Sequence, residues 1–143
     1  MRMIDVNVLV GAYRSDDPNH AQLAAWLEDA IDDPVPLAVT EAVLAGFLRV
    51  VSHPRVFLVP TPIELAIAQA SAIREAPGTL VVSPGPACWP IFISLCKRAN
   101  ARGNLVADAM HAATALEVGA TWITLDHGFA RFPGLKVKSP LGQ

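Results

Sequence analysis

At 143 residues, 52% of them hydrophobic and 17% charged, the chain is too apolar to be disordered and has the size of one domain, 1–143, with a core of its own. A formal net charge of −2 gives no overall basic field to announce a nucleic acid. No apolar run reaches the roughly 18–20 residues that cross a bilayer, and the N-terminus lacks the cationic region and small-residue cleavage site of a secretory signal, so a cytoplasmic protein without a membrane partner is expected.

Taken in chain order, apolar periodicity and breakers alternate strands with helices. A strand over about Met1–Asp5 leads into a short helix near Asn7–Tyr13, a polar turn SDDPN and a helix NHAQLAAWLEDAI, where Leu23, Trp26, Leu27, Ala30 and Ile31 share a face. VPLAV reads as the next strand, with Thr40 as N-cap of the helix EAVLAGFLRVVSH that stops before Pro54. Pro62 suits the first turn of the helix PIELAIAQASAIREA, closed by Pro77 and Gly78. APGTLVVSPGPACWP holds one short strand in a Pro/Gly-rich loop, and PIFISLCKRANARG and NLVADAMHAATALEVGA read as helices, the second capped by Asn104 and stopped at Gly119. TWITLD is a strand, HGFARFPG a turn and LKVKS a last short strand. The alternation argues for an α/β fold with a mostly parallel central sheet flanked by helices.

Four acids share a character on this layout. Asp5 and Asp126 end strands, where open α/β sheets place their binding crevice, Glu41 opens a helix directly after a strand, and Asp108 lies near the start of the helix after Asn104. Each has a bland explanation: Glu41 and Asp108 suit a helix macrodipole, and Asp126 suits a turn. Asp5 resists this, because a carboxylate inside MIDVNVLV must be paired, hydrogen-bonded or bound to a cation. If the four converge, repulsion and desolvation raise their pKa values unless a divalent cation neutralises them. Mg²⁺ or Mn²⁺ suits such hard oxygen donors, and can polarise a phosphoryl oxygen and acidify a bound water.

The stretches MIDVNVLV, TEAVLAGFLRVVSHPRVF, LVADAMHAATALEVGATWITLD and FARFPGL occur in the order and spacing of the PIN-domain ribonucleases, and the chain resembles the VapC toxins within that family over nearly its whole length. The resemblance implies a PIN-like α/β/α sandwich and a toxic endoribonuclease that hydrolyses RNA with Mg²⁺ or Mn²⁺, stops growth by cutting RNA needed for translation, and is silenced by a cognate VapB-like antitoxin. It also implies a homodimer. Residue by residue, it makes Asp5, Glu41, Asp108 and Asp126 the acidic quartet and metal ligands, with Asn7, Thr40 and Thr124 as supporting polar residues; Asn7 also reads as a helix cap. Many relatives carry a further acid two residues after the last aspartate, where this chain has Gly128, which bears on whether one metal or two are held.

Several other residues have competing readings. His111, three residues after Asp108, reads as a core or interface histidine before a metal ligand, and His127 as a solvated loop residue. Asp16, Asp17, Asp29, Asp32 and Asp33 flank Pro18 and Pro34 and read as turn acids. Cys88 and Cys96 form no CxxC pair and read as ordinary half-buried thiols. Lys97, Arg98 and Arg102, and Arg131, Lys136 and Lys138 near the tail, are either phosphate contacts or helix-end cations. Val43, Leu44, Phe47, Leu48 and Val51 exceed one narrow core stripe, so either all are core or some line an exposed groove. Two other classes compete. Aspartate-phosphorylated α/β proteins also use strand-end acids, but the phosphatases among them need D-x-D where the chain has Asp5-Val6-Asn7, and no lysine follows a late strand as in receiver domains. A non-catalytic PIN-like RNA- or protein-binding module is the second.

Overall fold

Met3, Ile4, Leu37, Ala38 and Val39 carry apolar side chains on both faces of their strands, as a parallel sheet covered on both sides requires, and each is at most 2% exposed. The computed structural model describes residues 1–142. Its strands β1 (Arg2–Ile4), β2 (Leu37–Val39), β3 (Leu80–Val81), β4 (Thr121–Ile123) and β5 (Lys136–Lys138) form one sheet in the order β3-β2-β1-β4-β5, every pairing parallel. Register pairs Met3 with Ala38 on one side and with Trp122 on the other.

The helices are α1 (Val6–Tyr13), α2 (His20–Asp32), α3 (Glu41–Val51), α4 (Ile63–Arg74), α5 (Cys88–Ala99) and α6 (Asn104–Val118). Packing links α1 to α2 and α3, and α3 to α4, whereas α5 packs on α6. The strand order runs outward from β1 to β3 and then returns past β1 to β4. Right-handed crossovers therefore place α1–α4 on one face and α5–α6 on the other, so the order reverses between β1 and β4. That reversal opens a crevice at the carboxyl ends of these two strands.

Two features bring the helices close to this edge. The inner face of α6 is Ala109, Ala112, Ala113, Thr114 and Ala115, all buried, and small side chains let the helix lie near the sheet. On the other layer, a Cβ at Gly46 would stand 2.9 Å from Val6 Cγ2, so a glycine there permits α3 to approach α1. Trp122, fully buried on β4, fills the space beneath His111, whose ring stacks on it at 5.4 Å.

The elements differ from the sequence reading at several ends. Strands are two or three residues long, because pairing stops where the loops diverge. Asn104 does not cap α6: Gly103, at φ 60°, precedes the helix and no side chain caps it. Pro62 precedes α4. α5 begins at Cys88, with Pro90 inside its first turn where its missing N–H costs nothing, and ends at Asn100 in the left-handed region (φ 47°). HGFAR forms a 3₁₀ turn. Val43, Leu44, Phe47 and Val51 are buried and Leu48 packs against them, so these residues form no exposed groove; α3 lies between α1 and α4 and buries a wide stripe. Apolar exposure falls instead on the α3–α4 connection and α4, with Leu58 99% and Val59 74% exposed. Among the described residues no helix is long and apolar enough to cross a membrane.

Thr40 accepts the Val43 N–H at 3.0 Å and caps α3 as expected. Thr40→Ala should lower stability by about 1 kcal/mol and the melting temperature by about 3 °C, measured by thermal denaturation.

Candidate active site

Asp5 follows β1 directly and is the N-cap of α1. Its N–H donates to the Ile123 carbonyl at 2.9 Å, which prolongs the β1–β4 pairing by one step and fixes where the carboxylate emerges. Asp5 Oδ1 accepts the Val6 N–H at 2.7 Å and Oδ2 accepts the Thr124 hydroxyl at 2.6 Å. Thr124 in turn accepts from Asn7 Nδ2 at 3.3 Å and from the Asp126 N–H at 3.0 Å. Asn7 Oδ1 takes the Leu125 N–H at 3.2 Å. Asn7 is thus no helix cap, a part taken by Asp5; its amide ties α1 to the chain leaving β4. Asp126 Oδ1 accepts the Gly128 N–H at 2.8 Å and starts the 3₁₀ turn.

Asp5, Asp108 and Asp126 line one cavity of about 330 Å³, walled by Val6, Val10, Val50, Leu125 and Phe129 and joined by Asn7 and Asp17. Burial pushes the Asp5 carboxyl above the ordinary carboxylate value; Thr124, Val6 and the nearby His111 oppose the rise, and Asp126 adds to it. Asp108 is also raised, first by burial and then by the charges of Asp126 and Asp5, with Arg131 opposing. The three acids feel one another, and their meeting carries a cost.

Glu41 stands apart, exposed on the first turn of α3 and outside the cavity lining. Thr40 is spent on capping and does not line the cavity. His111 lies against Trp122 and lines a neighbouring groove, and burial holds its imidazole below the usual value while Asp5 opposes this. His127 is exposed. At Gly128 a Cβ would stand 2.9 Å from Asp126 Oδ1 and 3.3 Å from Arg131 Nη2. The glycine lets the Arg131 guanidinium, whose Nε donates to the Gly128 carbonyl at 2.8 Å, lie beside the acids.

Asp17 is the residue that sequence reasoning missed. In sequence it reads as a turn acid, and it does cap a turn, Oδ1 accepting the Asn19 N–H at 2.8 Å, yet it lines the cavity as well. The one signal nearby is Gly11: a Cβ there would collide with Leu23 and come within 3.4 Å of Asp17 Oδ2, so the glycine allows this turn to fold against α1.

Among the described residues no three His, Cys, Asp or Glu side chains come close enough together to hold a metal ion by themselves. The cavity's donors are nonetheless hard carboxylate oxygens converging from β1, α6 and the end of β4. Donors of that chemistry suit a hard divalent cation that keeps several of its waters and takes only one or two carboxylates directly.

The raised carboxyls make a prediction for Asp108, whose rise no hydrogen bond opposes. A carboxyl with a raised folded-state pKa is tolerated when protonated, and its stability contribution is lost as pH rises from the ordinary value of 3.8 through the raised one. In excess chelator Asp108→Asn should therefore melt above the parent at pH 7, with the difference closing as pH falls below about 4. Thermal denaturation across pH checks this; a variant less stable at neutral pH contradicts it.

The PIN domain family model matches residues 2–135. The chain is 44% identical over 141 residues to "Ribonuclease VapC43" of Mycobacterium tuberculosis, covering 99% of this chain and 96% of that protein. Its fold is similar to the crystal structure of M. tuberculosis VapC20, a sarcin-ricin loop cleaving toxin, at a TM-score of 0.71 and 16% identity, covering 96% of this chain and 99% of that one. It is also similar to VapBC2 from Rickettsia felis bound to a DNA fragment from its promoter, at a TM-score of 0.69 and 18% identity, covering 96% and 97% of the two chains. With a family model over most of its length and a full-length relative at this identity, the chain belongs to the PIN-domain family, among its VapC members.

Proposed function

We propose that the protein is a metal-dependent endoribonuclease, the toxin of a VapBC-type pair, which hydrolyses RNA phosphodiester bonds and thereby inhibits translation and growth. The observation that carries this reading is the convergence of Asp5, Asp108 and Asp126 on one cavity at the carboxyl edge of the sheet, in a chain 44% identical to a named ribonuclease. Asp5, Asp108 and Asp126 would hold Mg²⁺ or Mn²⁺; Glu41, exposed on the first turn of α3 and outside the cavity lining, would serve the site from its rim and not as a direct ligand. When bound, such a cation supplies Lewis-acid polarisation of a phosphoryl oxygen and a water acidic enough to serve as nucleophile.

The chain's own residues do the rest. Thr124 and the Val6 N–H lock the Asp5 rotamer and leave each oxygen a free lone pair. Asn7 braces residues 124–126 against α1, so Asp5 and Asp126 keep their separation. Arg131 lends positive charge beside Asp108, where an incoming phosphodiester would otherwise meet only carboxylates. Val10, Val50, Leu125 and Phe129 wall the cavity, limit water and strengthen every interaction inside it.

A VapB-like antitoxin completes the proposal. A groove of about 400 Å³ runs between α3 and α6, with Ala42, Ala45, Gly46 and Arg49 on one side and Ala107, Met110 and His111 on the other. It shares Val6 with the carboxylate cavity. A helical segment laid in this slot would cover the acids and deny RNA access. Homodimerisation of the toxin would cover apolar side chains left exposed on α4 and the loop before it, Leu58, Val59 and Leu65 among them. Toxin, antitoxin and RNA target would meet in the cytoplasm.

The purified protein should cleave RNA internally with Mg²⁺ or Mn²⁺ and stop doing so in excess chelator, with Asp5→Asn and Asp108→Asn reduced to background. Cleavage without a metal, or carboxylate variants as active as the parent, would overturn the mechanism. Thr124→Val should lower activity about 10- to 100-fold. Loss of its hydrogen bond to Asp5, which holds that carboxyl down, should also move the acid limb of the pH–rate profile to higher pH, while Thr124→Ser keeps the parental profile.

A further inference from the structure

The outer face of α5 is used by none of this. Trp89, Ile93 and Lys97 recur every four residues along it, with Pro90, Ser94 and Arg98 beside them, so the six form adjoining rows on one side of the helix. Together they line a groove of about 610 Å³. Trp89, the largest side chain on this face, is 62% exposed. Phe92 underpins its indole at 5.3 Å with the rings tilted by 46°, fixing the ring while its outer side stays open.

The charge of this face has one sign. The twelve residues of α5 include no acid, and neither Lys97 nor Arg98 is in an ion pair among the described residues. Arg102 follows, exposed in the connection to α6. Glu117, the acid beside the start of α5, is occupied, its two oxygens accepting the Gly85 and Ala87 N–H groups at 2.7 and 2.9 Å. The four-residue connection 100–103 returns the chain into α6, so the cationic end of α5 and the turn of α6 that bears Asp108 lie at the same end of this helix pair.

We propose that this face is a single-stranded RNA platform: a base stacks on the Trp89 indole, and the backbone phosphates that follow it toward the C-terminal end of α5 pair with Lys97 and Arg98. An open aromatic followed by a row of cations is the chemistry that grips single strands without reading sequence, and an anionic strand matches the charge. The proposal rests on the ribonuclease reading only for the choice of RNA as ligand.

The test is binding of a single-stranded oligouridylate to the full-length protein in excess chelator, followed by tryptophan fluorescence and repeated over a range of salt. The parent should bind with quenching. Trp89→Ala should weaken binding about tenfold and abolish the quench, Trp89→Phe should keep most of the affinity, and Lys97→Gln with Arg98→Gln should flatten the slope of log affinity against log salt by about 1.4. Variants that bind like the parent with an unchanged salt slope overturn the proposal, as does a parent that binds no oligouridylate. So does a parent that sediments as a dimer and becomes monomeric on Trp89→Ala, because the face would then belong to a second copy. Cleavage of RNA by the parent in Mg²⁺, assayed separately, judges the ribonuclease reading: binding through Trp89 without cleavage would remove that reading and support this one.

Discussion

One hydroxyl joins the parts of the acidic cavity. Thr124, 3% exposed, gives its proton to Asp5 and accepts hydrogens from Asn7 and from the backbone of Asp126. A hydroxyl offers one donor and two acceptor sites, so its capacity is fully used, and at low dielectric a satisfied network of this kind is stiff. Through it β1, α1 and the exit from β4 share one geometry. Were Asp5 held by the Val6 N–H alone, its burial would go largely uncompensated, and the distance from Asp5 to Asp126 would depend on a flexible loop.

The cavity is built at a cost, which the rest of the fold bears. Asp5 and Asp108 are both raised above the ordinary carboxylate value, each chiefly because of burial, and the charge of Asp126 adds to both. Such strain is common where a site must present charge to a ligand. The apolar layers around it offset the cost: Trp122 beneath His111, the alanine face of α6 against the sheet, and Phe47 and Val51 between α1 and α4. The same packing explains the location of the carboxylates. A bulkier inner face on α6 would lift Asp108 away from the sheet edge, and a side chain at Gly46 would press on Val6, next to Asp5.

Much of this was legible along the chain. Asp5 stands out because a carboxylate within an apolar strand has few explanations; of the supporting residues that the family pattern implies, Thr124 and Asn7 join its network, whereas Thr40 is spent on capping α3. Element ends were less legible: Asn104 looks like a cap, yet Gly103, in a positive-φ conformation that glycine adopts without strain, sets the start of α6. The apolar surplus of α3 leaves core and groove equally open because its pattern shows how many positions are apolar but not how many neighbours cover them; two helices cover them here. Asp17 gives no such sign, because a turn acid is the ordinary choice beside Pro18 and nothing local says that the turn folds against the cavity.

By itself the sequence determined the order and type of the elements, the parallel character of the sheet and the residue types able to carry chemistry, because periodicity, breakers and caps act over a few neighbouring positions. Only the tertiary structure decided which acids meet. Thr124 and Asp5 are 119 positions apart, and their contact depends on β1 pairing with β4 and on the reversal of strand order between them. For the same reason Asp17 enters the cavity lining while Glu41 stays exposed at the head of α3: proximity across a sheet is set by packing and crossover hand, which no local pattern records.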